Sequence, residues 1–427
     1  MSFGLSVLVR EVMPGVMIFG NAFAAAFAGV ARRWNRVETF FGVVRGLVTG
    51  GHPGPADSTA DPHYYDGLLP HEPNRYPPLP PVVGLERVAP GEADLAIMLA
   101  RVAASTVIVN YCPAHRVDPS AVAQRDQHGK AHGMVKARFK VRADLPAEFC
   151  AGVFQPGAAY NCLVRLSNVT NSLPDDRVPN ARGLAIKLLR VKGDFIWQML
   201  GAEASEHPPE QDFLLTNNPV FIARNAAEYE QLIRCTLPSV SKWPNFRQWG
   251  RFVLFLVGHP RLVFLMAQNA FRPVSNPLDA RYDSMTCYRL GTDKVVRYIV
   301  RPKVPGPWRC LCSPDYMREL MEERLKPGCA PVVLEFLVQI RALPTICYVE
   351  DPTLSWNDQG DITVPVAEIE IPGQDFADPA RLSLAENLSF TPWHCLEAHR
   401  PLGGLNRIRL QVYRASCAVR HRLNGVS

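Results

Sequence analysis

The chain has 427 residues, 47% hydrophobic and 20% charged, which is ordinary globular material and excludes disorder as the default. Its 46 basic against 40 acidic residues give a net charge of +6 spread along the sequence, without the Lys-rich block or basic–aromatic interleaving that a nucleic-acid partner requires. Eleven cysteines include no C-x-x-C, so neither a zinc pattern nor a small disulfide framework is expected, and a reducing cytoplasm fits best.

Residues 1–50 form an apolar and basic first segment. Nothing between Glu11 and Arg32 is charged, about the length of a membrane span, but Pro14, Gly15, Gly20 and Asn21 interrupt it. Three readings stay open there: a membrane-associated segment, a buried or peripheral helix, and a signal peptide. Residues 51–90 are dense in Pro, Gly and His and read as an extended connector; His52, His63 and His71 within it are too irregularly spaced for a metal site. Residues 91–427 read as one domain.

Apolar residues at helical spacing predict a helix from Glu92 to about Val109. From His132 to Val366 the pattern changes to short β-type runs, among them MVKARFKV, YNCLVRLSNV, GLAIKLLRV, SMTCYRLG, KVVRYIVRP and APVVLEFLVQIRAL, separated by turn residues. Many such strands predict a closed barrel or a sandwich. Helices are predicted around Ala226–Leu237, Trp249–Asn269 and Pro314–Leu325, and again from Arg409 to Leu423. The apolar run Phe252–Ala267 holds His259, Pro260 and Arg261 at its middle, which predicts two short amphipathic helices or a surface facing lipid or an apolar channel.

In NRIRLQVYRASCAVRHRLNG near the C-terminus, Arg409, Tyr413, Ser416 or Cys417, and Arg420 recur at spacings of three and four and share one helix face. A phenol ionises near pH 10, so a tyrosinate at neutral pH needs a cation beside it, and Arg409 stands one turn before Tyr413. Taken alone, this segment also reads as a surface helix with snorkelling arginines. Gly403 and Gly404 precede it without the spacing of a dinucleotide-binding loop, and no G-x-S-x-G, H-E-x-x-H or P-loop occurs in the chain.

The pattern R-x-x-x-Y-x-x-S-x-x-x-R resembles the proximal haem helix of the catalases, and other segments match in the same order. RDQHGKAHG at Arg125–Gly133 resembles the stretch that carries the distal histidine, VRLSN at Val164–Asn168 resembles V-R-F-S-T, and NARGLAIKL at Asn180–Leu188 resembles D-P-R-G-F-A-V-K-F. QDFLLTNNPVFIAR at Gln211–Arg224 is similar to the D-x-x-x-N-N-x-P-x-F-F stretch, and FTPWH at Phe390–His394 to F-S-P-W. The resemblance is closest to a divergent group of bacterial catalase-like haem proteins, related also to the allene oxide synthase domain. The chain ends just after the tyrosine helix, where full-length catalases continue, so the resemblance implies a reduced relative.

The resemblance implies an α+β fold: a catalase-like antiparallel β-barrel surrounded by helices, with haem b (iron protoporphyrin IX) between the barrel and the C-terminal helix. It implies Tyr413 as the axial ligand of the haem iron, supported by Arg409, with Arg125, Arg165 and Arg420 around the propionates or the proximal ligand. His128 would be the acid–base group facing peroxide. The sequence departs from the family in two places. His132 follows His128 by four residues, and His128 is preferred because it keeps the R-x-x-H-x-K spacing; the family's distal amide aligns on Thr216, with Asn217 one place later. The expected function is haem-dependent cleavage of hydrogen peroxide or an organic hydroperoxide, of catalase or peroxidase type, in an oxidative-stress setting. Two other functions remain open: rearrangement of a fatty-acid hydroperoxide, and haem binding without turnover. Peroxide or lipid hydroperoxide is the expected partner, with peripheral membrane association and a homo-oligomer left open.

Overall fold

Between Val135 and Val141 apolar residues alternate with Lys136, Arg138 and Lys140, and this period of two makes β1 (Ala131–Val141) a strand with one buried and one exposed face. The computed structural model describes residues 80–426 apart from 83, 170–174, 179, 200–208, 237–253, 271, 310–311, 342–345 and 357–360. The chain divides into two units, 1–50 and 51–427. The expectations for the first unit, and for the connector as far as residue 79, lie outside the described residues.

The remaining strands are β2 (Ala159–Asn168), β3 (Arg182–Leu188), β4 (Gln211–Thr216), β5 (Tyr282–Asp283), β6 (Cys287–Leu290), β7 (Lys294–Pro302), β8 (Val332–Ile340), β9 (Ile362–Ile371) and β10 (Pro401–Leu402). Eight of them form a closed antiparallel ring in the order β7, β5, β4, β3, β2, β1, β9, β8, with β8 returning to β7; β6 and β10 extend outward from β7. Closure pairs the strand edges that an open sheet would leave bare. The barrel interior is aromatic: the Phe213 ring meets Phe336 at 4.8 Å and Tyr298 at 4.9 Å, both edge-to-face, and Phe139 and Phe154 complete the cluster. His399 is buried among these rings, where its Nε2 accepts from the Val153 amide at 3.0 Å and its Nδ1 lies 3.2 Å from the Tyr298 hydroxyl.

Around the barrel lie α1 (Glu92–Val117), α2 (Ile196–Met199), α3 (Ala226–Thr236), α4 (Pro260–Ala270), α5 (Tyr316–Arg324), α6 (Ile346–Glu350), α7 (Pro379–Asn387) and α8 (Gly404–Asn424). α1 is long and apolar enough to cross a membrane, but Ala100, Ala104, Val107 and Ile108 pack against Ala415 and Val419 of α8. The N-terminus of α8 is fixed by Arg407, which forms ion pairs with Glu86, Glu92 and Glu350. Gly403 caps it at φ 91°, and a side chain there would meet the Val349 carbonyl oxygen.

The structure differs from the expectations in the extent of two elements and in the presence of two others. α1 continues past Val109 to Val117, and β9 runs past Val366 to Ile371. β4 is buried along almost its whole length and lacks the alternation that marks a half-exposed strand. α7 has no strong apolar stripe and starts from a local signal, Asp378 accepting from the Ala380 amide with Pro379 in the first turn. The break at His259 is present: 254–258 is helical and α4 begins at Pro260, with Leu262 and Leu265 buried and Phe264 exposed.

Because the barrel core converges on Phe213, Phe213→Ala is expected to lower unfolding stability by about 3–5 kcal/mol, measured by denaturant titration.

Candidate functional site

The loop that enters β1 holds His128 in a left-handed conformation at φ 61°, uncommon for a residue with a side chain. Three contacts enforce it. The His128 amide donates to the Val169 carbonyl at 2.8 Å, its carbonyl accepts from Arg165 Nη2 at 2.8 Å, and its Nδ1 lies 3.1 Å from the Ser167 hydroxyl. The ring rests on Gly183, where an added Cβ would come within 2.3 Å of Nδ1, so a glycine is required at this point of β3. Ser167 and Gly183 face each other across β2 and β3, which brings the VRLSN and NARGLAIKL motifs to one place. The half-buried imidazole makes no hydrogen bond through Nε2 among the described residues. Burial, with the charges of Arg165, Arg125 and Arg409, pushes its pKa down to about 3, so the ring is neutral at physiological pH.

His132 has a different setting. It is fully buried within β1, its Nε2 lies 2.9 Å from Asn168 Oδ1, and Asn168 in turn donates to Asp176. Burial and the charges of Arg182 and Lys130 hold it neutral as well. It belongs to a network tying β1 to β2 and the segment after it.

On α8, Arg409 Nη2 donates to the Tyr413 hydroxyl oxygen at 2.6 Å and Nη1 to Asn406 Oδ1 at 3.1 Å. Burial works against the Arg409 charge, but the phenols of Tyr413 and Tyr288 outweigh it and keep the guanidinium charged. Trp393 of the FTPWH motif donates through Nε1 to the Asn406 carbonyl at 2.8 Å and fixes the first turns of α8. Three residues after Tyr413, Ser416 donates to Asp126 at 2.6 Å, which ties α8 to the loop of His128.

Arg125, Arg165 and Arg420 converge as well. Arg125 Nη1 and Arg165 Nη2 each lie 3.1 Å from an oxygen of Glu386 on α7, and Arg125 and Arg420 both donate to the Leu388 carbonyl. Two buried guanidiniums thus share one carboxylate, and Arg420 joins Arg125 at the neighbouring Leu388 carbonyl. Arg125 is held well below the usual arginine range by burial and by repulsion from Arg165 and Arg420. The Nε groups of Arg165 and Arg420 are buried without a hydrogen-bond acceptor. Unfilled N–H donors on neighbouring guanidiniums suit an anionic ligand with carboxylate-like oxygens.

The two residues aligned on the distal amide separate cleanly. Thr216 ends β4 opposite Gly183, and its hydroxyl is 3.1 Å from the Met285 sulfur. Asn217 accepts through Oδ1 from the Arg182 amide at 2.7 Å, next to Gly183, and its Nδ2 is buried without a partner. Asn217 Nδ2 is thus a side-chain donor without an acceptor, on a residue bonded to the Arg182 amide next to Gly183.

Four residues of this site were not singled out by sequence. Ser167 and Gly183 lie inside motifs that were recognised, and Asp126 adjoins Arg125; Glu386 sits on α7, a helix with no strong periodic signal. Glu210, Asp212 and His394 also cluster with metal-ligand spacing. There Lys187 already supplies the cation, with its ammonium 2.9 Å from Asp212.

No protein-family model matches the chain, and no curated relative matches it by sequence. Solved structures do. A bacterial catalase superposes with TM-score 0.54 and 16% identity over 73% of this chain, and catalase A from Saccharomyces cerevisiae with 0.54 and 17% over 74%. A fungal catalase gives 0.52 and 16% over 74%. The chain spans 60, 64 and 62% of the length of these three proteins. The fold is catalase-like: an eight-stranded antiparallel barrel with helices around it.

Glu386→Gln removes the carboxylate shared by Arg125 and Arg165. It is expected to destabilise the protein by roughly 3–5 kcal/mol, read by thermal or denaturant unfolding, because two buried charges lose their counter-charge.

Proposed function

We propose that the chain is a haem-dependent oxidoreductase that cleaves hydrogen peroxide or an organic hydroperoxide, in which Tyr413 of α8 would hold the iron of haem b. The observation that carries this reading is the meeting of two pairs: Arg409 donating to the Tyr413 oxygen on α8, and a neutral His128 seated on Ser167 and Gly183 close enough to feel the Arg409 charge. A cation beside the phenol is what an anionic oxygen ligand needs. The unfilled N–H of Arg165, with Arg125 beside it, suits a propionate carboxylate of a porphyrin. Ferric haem, when bound, supplies the redox and Lewis-acid chemistry of O–O bond cleavage.

The protein's own groups then manage the proton. With Nδ1 engaged by Ser167, His128 presents Nε2 to take a proton from one peroxide oxygen and return it to the departing one. The spare Nδ2 of Asn217 donates a hydrogen bond that orients the peroxide. Thr216, committed to Met285, has no such part. The ordered motifs of the sequence support a place among the divergent bacterial catalase-like proteins, and the cysteine usage supports a cytoplasmic setting, with residues 1–50 as the segment that would meet a membrane.

His128→Ala is expected to slow consumption of hydrogen peroxide and of tert-butyl hydroperoxide about 100-fold or more, while His132→Ala leaves the per-molecule rate of the folded fraction near wild type. The pH profile follows from the depressed His128. Its base form persists as pH falls from 8 to 5, so the rate is expected to show no acid limb near pH 6.5 and to be lost only toward about 3. A rate that follows His132 instead of His128 would move the acid–base role into the β1 network.

A further inference from the structure

Past Tyr413, α8 carries a second pair of chemical groups at the same spacing of four. Cys417 Sγ lies 3.4 Å from His421 Nε2 and 3.9 Å from its Nδ1, and 3.6 Å from Arg420 Nη2. His421 Nε2 also lies 2.7 Å from the Asn387 carbonyl oxygen, which only accepts, so Nε2 carries a proton and Nδ1 is left as the site for a second one. The thiol is half-buried, not sealed in the core. Arg420 and His421 on α8, Arg125 from the His128 loop and the hydroxyl of Ser389 favour negative charge on sulfur; the acids near them are Glu386 on α7, paired with Arg125 and Arg165, and Asp126, bonded to Ser416. Burial raises the thiol, but the hydrogen bond with His421 and the charge of Arg420 outweigh it and bring Cys417 down to about 7, while His421 is raised in return.

A second observation points to a ligand. Arg420 is buried and its Nε has no acceptor, next to the guanidinium nitrogen that touches the sulfur. A thiolate, an imidazolium and an unfilled arginine N–H together form a site for a small oxygen-bearing electrophile.

We propose that Cys417 is a peroxide-reducing thiol, with His421 as its proton partner and Arg420 as the donor that holds the incoming peroxide. The Cys417 proton passes to His421 Nδ1, and the thiolate attacks the terminal oxygen of R–O–OH. The S–O bond forms as the O–O bond breaks, and the departing RO⁻ takes the proton from the His421 imidazolium and leaves as ROH. The sum is Cys–SH plus ROOH giving Cys–SOH plus ROH, in which sulfur is oxidised by two electrons and the peroxide reduced by two. A low-molecular-weight thiol returns the sulfenic acid to the thiol in two steps, releasing water and then a disulfide. This chemistry does not depend on iron at Tyr413.

The test uses the full chain, hydrogen peroxide and tert-butyl hydroperoxide, with dimedone as the sulfenate trap and peptide mass spectrometry as the readout. At pH 7 the Cys417 peptide is expected to gain the adduct at least about fivefold faster than those of the exposed Cys312 and Cys329, the thiolate gain exceeding its loss of intrinsic nucleophilicity. Alkylation of Cys417 by iodoacetamide should have its pH midpoint near 7, and His421→Gln should move that midpoint up by a unit or more and slow adduct formation. Tyr413→Phe should leave the iodoacetamide midpoint of Cys417 unchanged, which separates this site from haem ligation. A Cys417 midpoint at 8.5 or above, labelling no faster than at Cys312, or indifference to His421→Gln would each overturn the proposal. The wild-type pH profile decides even if His421→Gln does not fold.

Discussion

Two guanidiniums that share one carboxylate, with a third bonded to the Leu388 carbonyl beside them, hold this molecule's chemistry in place. Arg125 comes from the loop before β1, Arg165 from β2, Arg420 from α8 and Glu386 from α7, so a single buried charge cluster joins the barrel to the helices packed on it. Buried charge is tolerated only when paired and hydrogen-bonded, and that requirement fixes how α8 docks. Ser416 bonded to Asp126 adds a neutral-to-charged link between the same two elements. His128 and Tyr413 are placed by this frame: one lies three residues from Arg125, the other seven residues before Arg420. The cluster also keeps buried N–H donors of Arg165 and Arg420 without acceptors, which is the property an oxygen-bearing ligand would use.

α8 shows how one periodicity serves several ends. Arg409, Tyr413, Cys417 and His421 follow one another at intervals of four and lie on one stripe. The first two form a cation–phenol pair at 2.6 Å, and the last two a thiol–imidazole pair at 3.4 Å. The opposite face, with Ala415 and Val419, packs on the small residues of α1. Close approach of these helices depends on alanine at Ala100 and Ala104, and it buries the back of the helix that carries the reactive groups on its front.

Much of the barrel could be read from the sequence because half-exposed strands announce themselves by alternation, as β1 does from Val135 to Val141. β4 escaped because both its faces are buried, and α7 because its helix begins from a cap instead of an apolar stripe. The same limit hid Glu386, whose role depends on tertiary contacts with Arg125 and Arg165 and leaves no local trace. Motif spacing brought Arg125, His128, Arg165, Tyr413 and Arg420 to notice but left the neighbours His132 and Thr216 undecided. Burial and hydrogen bonding add what spacing lacked: His132 Nε2 meets Asn168 and the Thr216 hydroxyl meets Met285, while His128 Nε2, Asn217 Nδ2 and the buried His132 Nδ1 have no hydrogen-bond partner among the described residues. A difference of one residue at the end of β4 is a matter of strand register, which no spacing argument resolves.

The central claim is that α8 supplies an anionic oxygen ligand to ferric haem, and its most direct test is an optical titration of the purified chain with ferric haem, beside Tyr413→Phe. The account predicts saturable binding at one haem per chain with a tyrosinate-to-iron charge-transfer band in the wild type, and loss of that band with weaker retention in Tyr413→Phe. Failure to bind haem saturably, or an identical spectrum from the two proteins, would contradict it.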